Sequence, residues 1–263
     1  MRAPITIDDA NDPRLDDFRD LKAADALAGE REVVIAEGVN VVERMLSSPY
    51  RVRAVFGVPA RVDALTDVLE KYDVPAYVGD KWMLSDVAGF RVTRGVLASA
   101  DRLPPRSVES VVASARRLVV LEGLNDFENL GALFRNIAAF GADAVILDAQ
   151  CADPLYRRSV RVSMGYVLRV PFAVADVGLP QLLPLLHEHG FAVCALTPRA
   201  QARPLADVNV PTRWALAFGA EGPGLSDEVI NNADELVRIP MASGVDSLNV
   251  ATAVAVALAH YMA

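Results

Sequence analysis

The chain has 263 residues, and 52% of them are hydrophobic, so it can bury a substantial core and is not a disordered chain. Its 34 acidic residues outnumber 26 basic ones, and the formal net charge of −8 excludes a general polycation while allowing a local basic surface. The polar, acidic N-terminus does not resemble a signal peptide, and the C-terminal apolar run is too short for a membrane span. We therefore expect a cytoplasmic protein.

The cysteines and histidines do not indicate a metal site. Cys151 and Cys194 are isolated in apolar surroundings and are predicted to be buried free thiols. His187, His189 and His260 lie on helix-like segments without the spacing typical of metal ligands. The sequence therefore predicts neither a disulfide framework nor a bound metal.

In the first part of the chain, short apolar runs alternate with segments of helical periodicity. The predicted strands are 32–37, 51–58, 74–79 and 95–102, and the predicted helices are 12–30, 38–48, 60–72 and 80–89. Such alternation indicates an α/β unit with a largely parallel sheet. Pro104 and Pro105 then indicate a linker.

The same alternation restarts after the linker. The predicted strands begin at residues 116, 142, 191, 213 and 235, and the predicted helices are 129–141, 178–190, a segment that starts near 225, and the C-terminal segment. We therefore expect two α/β domains, with boundaries at 1–105 and 117–263 and a linker at 106–116.

Polar residues and glycines of the second domain gather in loops that follow predicted strands. Open α/β sheets bind ligands at this edge. The residues of the three loops are Asn129, Gly131 and Arg135; Gly219, Glu221, Gly222 and Gly224; and Pro240, Ser247 and Asn249.

The glycine-rich loop by itself is compatible with several phosphate-binding motifs. A dinucleotide turn is disfavoured because the loop follows a late strand and carries Glu221, which would repel a pyrophosphate. A Walker loop is excluded because no Gly-Lys-Ser/Thr follows.

Two of the polar positions have structural alternatives. Ser247 and Asn249 open an apolar segment, where such residues are preferred as helix caps. Arg135 could extend to the surface, but its apolar neighbours suggest that its charge needs a partner, either Glu221 or an anionic substrate.

Three motifs follow one another over about 130 residues. Asn-x-Gly with Arg four residues beyond occupies 129–135, Gly-x-Glu-Gly-x-Gly-Leu occupies 219–225, and Ile-Pro-Met followed by Ser-Leu-Asn-Val occupies 239–241 and 247–250. In this order they resemble the motifs of the SpoU-type RNA 2′-O-ribose methyltransferases of the SPOUT, or α/β-knot, superfamily. Upstream, residues 36–46 and 93–98 resemble the family's N-terminal domain, although Arg94 replaces the usual glutamine.

The resemblance implies a fold and an assembly. Residues 117–263 would form an α/β trefoil-knot methyltransferase domain with a mostly parallel sheet, one of the rare exceptions to unknotted folds. Residues 1–105 would form a smaller α/β RNA-binding domain of ribosomal-protein-like fold. The resemblance also implies a homodimer through the second domain and S-adenosylmethionine as the cofactor, with no need for a metal.

The resemblance assigns roles to the residues of the three motifs. Arg135 would activate the 2′-hydroxyl, with Glu221, Ser247, Asn249 and Asn129 as the other catalytic-site residues. Because a guanidinium is a poor base, the alternative is that Arg135 fixes the adjacent phosphate and stabilises the developing alkoxide. The cofactor-binding residues implied are Leu196, Thr197, Gly219, Ile239, Met241 and Leu248. Beside such a site, the basic residues Arg51, Arg53, Arg157, Arg158 and Arg161 become candidates for phosphate contacts with RNA.

The expected function is transfer of a methyl group to a ribose 2′-hydroxyl, with ribosomal RNA favoured over transfer RNA. Two alternatives remain from the sequence. One is an RNA-binding module without catalysis, and the other is a dinucleotide-dependent oxidoreductase. The intact motif residues count against the first, and Glu221 in the glycine loop counts against the second.

Overall fold

The computed structural model describes residues 3–21 and 32–263. The chain forms two compact units. Unit 1 comprises Met1–Pro104 and Asp153–Arg169, and unit 2 comprises Pro105–Ala152 and Val170–Ala263. The described strands, β1 to β12, are Ile5–Thr6, Val33–Glu37, Val52–Gly57, Ala76–Val78, Val96–Asp101, Arg117–Glu122, Ala144–Leu147, Phe172–Val174, Ala192–Leu196, Arg203–Pro204, Trp214–Gly219 and Glu235–Arg238. The described helices, α1 to α10, are Val39–Leu46, Pro59–Asp63, Thr66–Leu69, Lys81–Ala88, Val108–Ser114, Phe127–Phe140, Arg157–Val162, Leu179–Glu188, Asp227–Asn232 and Val250–Tyr261.

The sheet of unit 1 has five strands in the order β1-β4-β3-β5-β2. β1, β4 and β3 are parallel, whereas β5 runs antiparallel to both β3 and β2. Four of the five described strands, β1 to β4, thus point in one direction and β5 is reversed, in keeping with the expected largely parallel sheet. Alternation of strands and helices predicts the type of each element, but it does not determine the direction in which the chain returns through the sheet.

Helix α7 comes from the second half of the sequence but is part of unit 1. Arg157 of this helix donates a hydrogen bond from Nη1 to Oε2 of Glu37, at 3.2 Å, and Nη1 of Arg161 lies 3.6 Å from the same oxygen. The Glu37 side chain is only 1% exposed. Because a buried carboxylate needs compensating cations, this pairing accounts for the place of α7 in unit 1. No local sequence pattern indicates it.

Unit 2 contains a seven-stranded sheet in the order β10-β12-β9-β11-β6-β7-β8. Every pair of neighbouring strands is parallel, as the sequence predicts. All carboxyl ends of the strands therefore lie at the same edge, which is where open α/β sheets bind ligands.

The segment 106–116, expected to be a linker, differs from that expectation because it contains helix α5. Ser107 caps the helix by accepting a hydrogen bond from the backbone N–H of Ser110 at 3.2 Å. Val111 and Val112 are buried in the core of unit 2. This segment is thus part of the packed unit, with Pro104 and Pro105 at the boundary.

Two predicted helices differ in the structure. Residues 60–72 form two short helices, α2 and α3, instead of one. In the predicted helix 12–30, a 3₁₀ helix spans Pro13–Phe18, and residues 22–31 lie outside the described part of the chain. Among the residues that the structure describes, no helix combines the length and apolar character needed to cross a membrane.

Candidate functional site

A cavity of about 660 Å³ lies where β9, β11 and β12 of unit 2 end. Its wall consists of the loops that follow these three strands, together with the start of α10. The cavity lining includes all six residues for which the sequence analysis expects cofactor contacts, namely Leu196, Thr197, Gly219, Ile239, Met241 and Leu248. The parallel sheet thus brings together three loops that are separated in sequence.

The glycine-rich loop after β11 folds back tightly on itself. Gly224 donates a backbone hydrogen bond to the carbonyl of Ala220 at 3.0 Å. A Cβ atom at Gly219 would lie 2.1 Å from the carbonyl carbon of Gly224, so a side chain at this position would require the backbone to move. Gly224 also has φ of +71°, which favours glycine. The motif spacing therefore reflects a turn in which backbone groups line the cavity.

Glu122 anchors the far end of this loop, a role that the sequence analysis did not identify. It is the last residue of β6, and its Oε2 accepts a hydrogen bond from the backbone N–H of Ser226 at 2.8 Å. The hydroxyl of Ser226 in turn caps α9 by accepting from Val229 N. The only signal in the sequence is an acidic residue directly after the apolar run of this strand, residues 118–121.

Asn249 joins all three motifs at the rim of the cavity. Its side-chain Nδ2 donates to Oδ1 of Asn129 at 2.7 Å and to Oε1 of Glu221 at 3.0 Å. Its Oδ1 accepts from the backbone N–H of Thr252 at 3.2 Å and so caps α10. Since an ionised carboxylate only accepts hydrogen bonds, the amide has a single orientation that satisfies all of these partners.

The two polar residues of the last motif therefore have different positions. Asn249 caps α10 and also bonds to the other motifs, as described above. Ser247 lines the cavity, and its side chain is exposed. The expected capping role is therefore confirmed for Asn249. Ser247 does not provide the side-chain cap of α10.

Arg135 occupies the exposed face of α6. Its neighbours Leu133, Phe134 and Ile137 are buried, but they lie on other faces of the helix. Among the described residues, Arg135 makes no hydrogen bond or ion pair, and Glu221 bonds to Asn249 instead. The expected pairing of Arg135 with Glu221 is thus absent, and the guanidinium is accessible to a ligand.

Residues 116–259, more than half of the chain, match the model of the SpoU rRNA Methylase family. The chain belongs to this family. An uncharacterized tRNA/rRNA methyltransferase of Mycobacterium tuberculosis is 49% identical over 255 residues, which cover 95% of this chain and 88% of the relative. The 23S rRNA (guanosine-2′-O-)-methyltransferase RlmB of Salmonella typhimurium is 29% identical over 231 residues, covering 84% and 94%. The AdoMet-bound rRNA methyltransferase from Sinorhizobium meliloti has the same fold, with a TM-score of 0.80, 23% identity and coverage of 97% and 96%. The family predicted from the three motifs is confirmed.

In this SpoU chain, the basic residues expected to contact RNA all lie in unit 1. Arg53 forms ion pairs with Asp101 and with Asp17, and the hydrogen bond with Asp101 raises the pKa of its guanidinium. Arg51 is 86% exposed and lies 3.5 Å from Asp101. Of this pair, Arg51 is thus the more accessible to a phosphate.

The second group of basic residues lies on α7 of this SpoU chain. Arg157 stacks over the Phe90 ring, with its guanidinium carbon 4.1 Å from the ring centroid, and pairs with Glu37. Arg161 is directed to the same carboxylate. Arg158 is exposed. Arg157 and Arg161 therefore have an internal electrostatic role that clustering in the sequence does not reveal.

Proposed function

We propose that this chain transfers a methyl group from S-adenosylmethionine to a ribose 2′-hydroxyl of RNA, with ribosomal RNA favoured over transfer RNA. The observation that carries the proposal is the hydrogen-bonded cluster of Asn249, Asn129 and Glu221 at the rim of the cavity. It unites one residue from each of the three motifs. The family description and the 2′-O-methyltransferase name of a relative at 29% identity support the choice of ribose and of ribosomal RNA.

The cavity fits S-adenosylmethionine in size and in chemistry. Its volume of about 660 Å³ is in the usual range for sites that enclose a small molecule. Leu196, Ile239 and Met241 supply apolar side chains for the apolar parts of the ligand, and Thr197 supplies a hydroxyl. Because Gly219 has no side chain, the glycine loop can fold tightly on itself, and its backbone lines the cavity.

When bound, S-adenosylmethionine supplies an electrophilic methyl group on a sulfonium, and the protein has to present a ribose oxygen behind it. Arg135 is the accessible cation of the first motif. A guanidinium is a poor base because it holds its proton tightly, so we assign Arg135 to the adjacent phosphate and to the negative charge that develops on the oxygen. Such preorganised charge stabilises a transition state without reorganisation.

The remaining motif residues position the reacting groups. Asn249 holds Glu221 and Asn129 in fixed relation to each other, so α6 and the glycine loop keep their spacing at the cavity rim. Ser247 lines the same cavity and is available to the ribose. In this proposal Glu221 orients Asn249, and Asn129 braces the start of α6.

Unit 1 is proposed as the RNA reader and unit 2 as the methyltransferase, which we propose to be knotted and to act as a homodimer. The exposed residues Arg51 and Arg158 of unit 1 are then the candidates for phosphate contacts. Phosphate contacts of this kind determine affinity and register more than sequence choice.

Calorimetric titration and a methylation assay test the proposal. The full chain should bind S-adenosylmethionine and show no heat of binding with NAD. It should also transfer a labelled methyl group to ribosomal RNA in preference to transfer RNA, at a position where 2′-O-methylation blocks alkaline cleavage. Binding of NAD would favour the oxidoreductase alternative. RNA from cells that lack the protein provides unmethylated substrate. If the chain bound this RNA but transferred no methyl group to it, the non-catalytic module would be favoured.

A further inference from the structure

The cavity contains charged groups on two different loops. Among the described residues that line it, the charged side chains are Arg199, which follows β9, and Glu221, which lies in the glycine loop. Glu221 already accepts a hydrogen bond from Asn249. Arg199 is thus the single described cation in the lining of a site that otherwise consists of apolar side chains, small polar groups and backbone.

The ligand of the proposed function carries an anion that such a cavity has to accommodate. S-adenosylmethionine ends in an α-ammonium and an α-carboxylate. Removing a carboxylate from water is costly unless a donor or a cation takes the place of the solvent. Glu221 would repel this group, whereas the planar guanidinium of arginine matches it with two parallel hydrogen bonds.

Arg199 lines the cavity, and only part of its hydrogen-bonding capacity is used among the described residues. Its Nη2 pairs with Oδ1 of Asp227, in the first turn of α9, and its backbone N–H is directed to the Thr197 hydroxyl at 3.4 Å. The Asp227 side chain is 80% exposed, so this ion pair is weakened by solvent. A guanidinium has five N–H donors, and Asp227 is the partner that the described structure gives to this one. Several donors therefore remain for a second carboxylate.

We propose that Arg199 binds the α-carboxylate of S-adenosylmethionine and thereby selects the complete amino-acid end of the cofactor. The inference rests on the proposed function. The ion pair with Asp227 engages part of the Arg199 guanidinium and leaves its other donors unused. Arg199 lies outside the three motifs, so the sequence analysis gave it no role.

Calorimetry with two ligands tests the proposal on the full chain. The ligands are S-adenosylmethionine and its decarboxylated form, which retains the adenosine, sulfonium and amine but has no carboxylate. The parent protein should bind the complete cofactor at least tenfold more tightly. Arg199→Gln should weaken binding of S-adenosylmethionine by roughly tenfold to a hundredfold, the scale of a lost hydrogen bond to a charged group, and should leave binding of the decarboxylated form unchanged.

Arg203→Gln is the matched control, since Arg203 follows on the same connection and pairs with Glu235 at 3.0 Å but does not line the cavity. It should bind both ligands like the parent. Equal loss of both ligands in Arg199→Gln would mean general damage to the cavity and would overturn the proposal. So would intact cofactor binding combined with weaker RNA binding, which would assign Arg199 to RNA phosphates. If the parent protein bound neither ligand, the proposed function itself would fail.

Discussion

The side-chain amide of Asn249 donates a hydrogen bond to Oδ1 of Asn129, 120 residues earlier in the chain, at 2.7 Å. The same nitrogen also reaches Glu221, so one amide group connects the start of α6, the glycine loop and the start of α10. Because the Asn249 oxygen caps α10, its nitrogen is the group that faces the other two motifs. This arrangement separates a capping function on the oxygen from a bridging function on the nitrogen.

We expect Asn249→Asp to keep the helix cap and to lose the bridge. Aspartate is as good an N-cap as asparagine, but it has no donor for Asn129 and places a second carboxylate against Glu221. Methyl transfer to RNA should fall by roughly tenfold or more, the scale set by one lost hydrogen bond to a charged group. Single-turnover assays measure the rate, and circular dichroism measures the helix content.

The control for that substitution is Asn232→Asp, at the end of α9, where the residue does not line the cavity. It should transfer methyl groups at the parent rate. If Asn249→Asp also kept the parent rate, the bridge would have no part in the reaction. Loss of helix content would instead assign the effect to the cap.

The sequence predicts much of unit 2 because its strands, helices and motifs can each be recognised from short stretches of sequence. Alternating strands and helices indicate a parallel sheet, and the carboxyl ends of such strands meet at one edge, so the three motifs are expected together. Glu122 and Arg199 could not be predicted in this way. Their partners, Ser226 and Asp227, lie 104 and 28 residues away, and only the folded chain brings them within hydrogen-bonding distance.

Unit 1 was less predictable for the same physical reason. Helix α7 is not among the predicted helices, and its sequence does not indicate where it packs. Its place depends on a pairing between Arg157 and Glu37 over 120 residues. Likewise, the exposure of Arg135 depends on which faces of α6 the rest of unit 2 covers, which the apolar neighbours of Arg135 in sequence do not disclose.

We expect Glu37→Ala to destabilise unit 1 strongly. The substitution leaves Arg157, whose side chain is 12% exposed, and Arg161 without their shared carboxylate. Breaking a buried ion pair by removing one partner typically costs about 3–5 kcal/mol. Urea unfolding measures the loss, and Glu70→Ala, at an exposed position of the same unit, should change stability by less than about 0.5 kcal/mol. A similarly small change for Glu37→Ala would contradict the structural role of the pair.

The same pairing affects truncation experiments. A protein that lacks residues 1–105 still contains α7, but it no longer contains Glu37, the ion-pair partner of that helix. We therefore expect unit 2 to be isolated in soluble form only when 153–169 is also replaced by a short polar linker. Comparison of the solubility and cofactor binding of the two truncated proteins checks this expectation.

Stability should decline in alkaline solution because of two thiols, that of the buried Cys194 and that of the half-buried Cys151. Burial raises the pKa of Cys194 from 9.0 to about 11, and it raises the pKa of Cys151 from 9.0 to about 12, with the nearby Asp148 charge adding to the effect. Above pH 9 the unfolded chain loses these protons while the folded chain retains them, so the free energy of unfolding falls as pH rises. Each group contributes up to about 1.4 kcal/mol per pH unit.

Cys194→Ala should therefore reduce the slope of stability against pH by about 1 kcal/mol per pH unit between pH 9 and pH 10. The range ends at pH 10 because burial also raises the pKa of Tyr261, which adds its own dependence at higher pH. Urea unfolding at several pH values measures the slope. An unchanged slope in the variant would show that Cys194 ionises normally in the folded protein.

The homodimer proposed for unit 2 can be tested on α10. Thr252, Val256 and Ala259 are the residues of this helix whose side chains are exposed, and they lie on one side of it. We expect Val256→Asp to place a charge in the dimer interface and to shift sedimentation towards the monomer at micromolar concentration. Val210→Asp, at another exposed valine of unit 2, should sediment like the parent. A parent protein that is already monomeric would refute the proposed homodimer.

Arg135 is the residue on which the proposed chemistry depends most. Its guanidinium is exposed and is not engaged by another described residue, so Arg135→Ala should leave the fold intact. Cofactor affinity should remain close to that of the parent, because Arg135 does not line the cavity. Methyl transfer in a single turnover should fall by ~100-fold or more, the scale of losing one preorganised electrostatic group.

Two further variants define what Arg135 does. Arg135→Lys keeps the charge but not the planar fork, so it should not restore the rate. Arg116→Ala removes another exposed arginine of unit 2, immediately before β6 and thus at the opposite edge of the sheet from the cavity, and should react like the parent. Full recovery in Arg135→Lys would mean that a point charge is sufficient and that no bidentate contact to phosphate is needed. A near-parent rate in Arg135→Ala would remove Arg135 from the site, because a surface arginine without a catalytic role is the remaining explanation of its exposure.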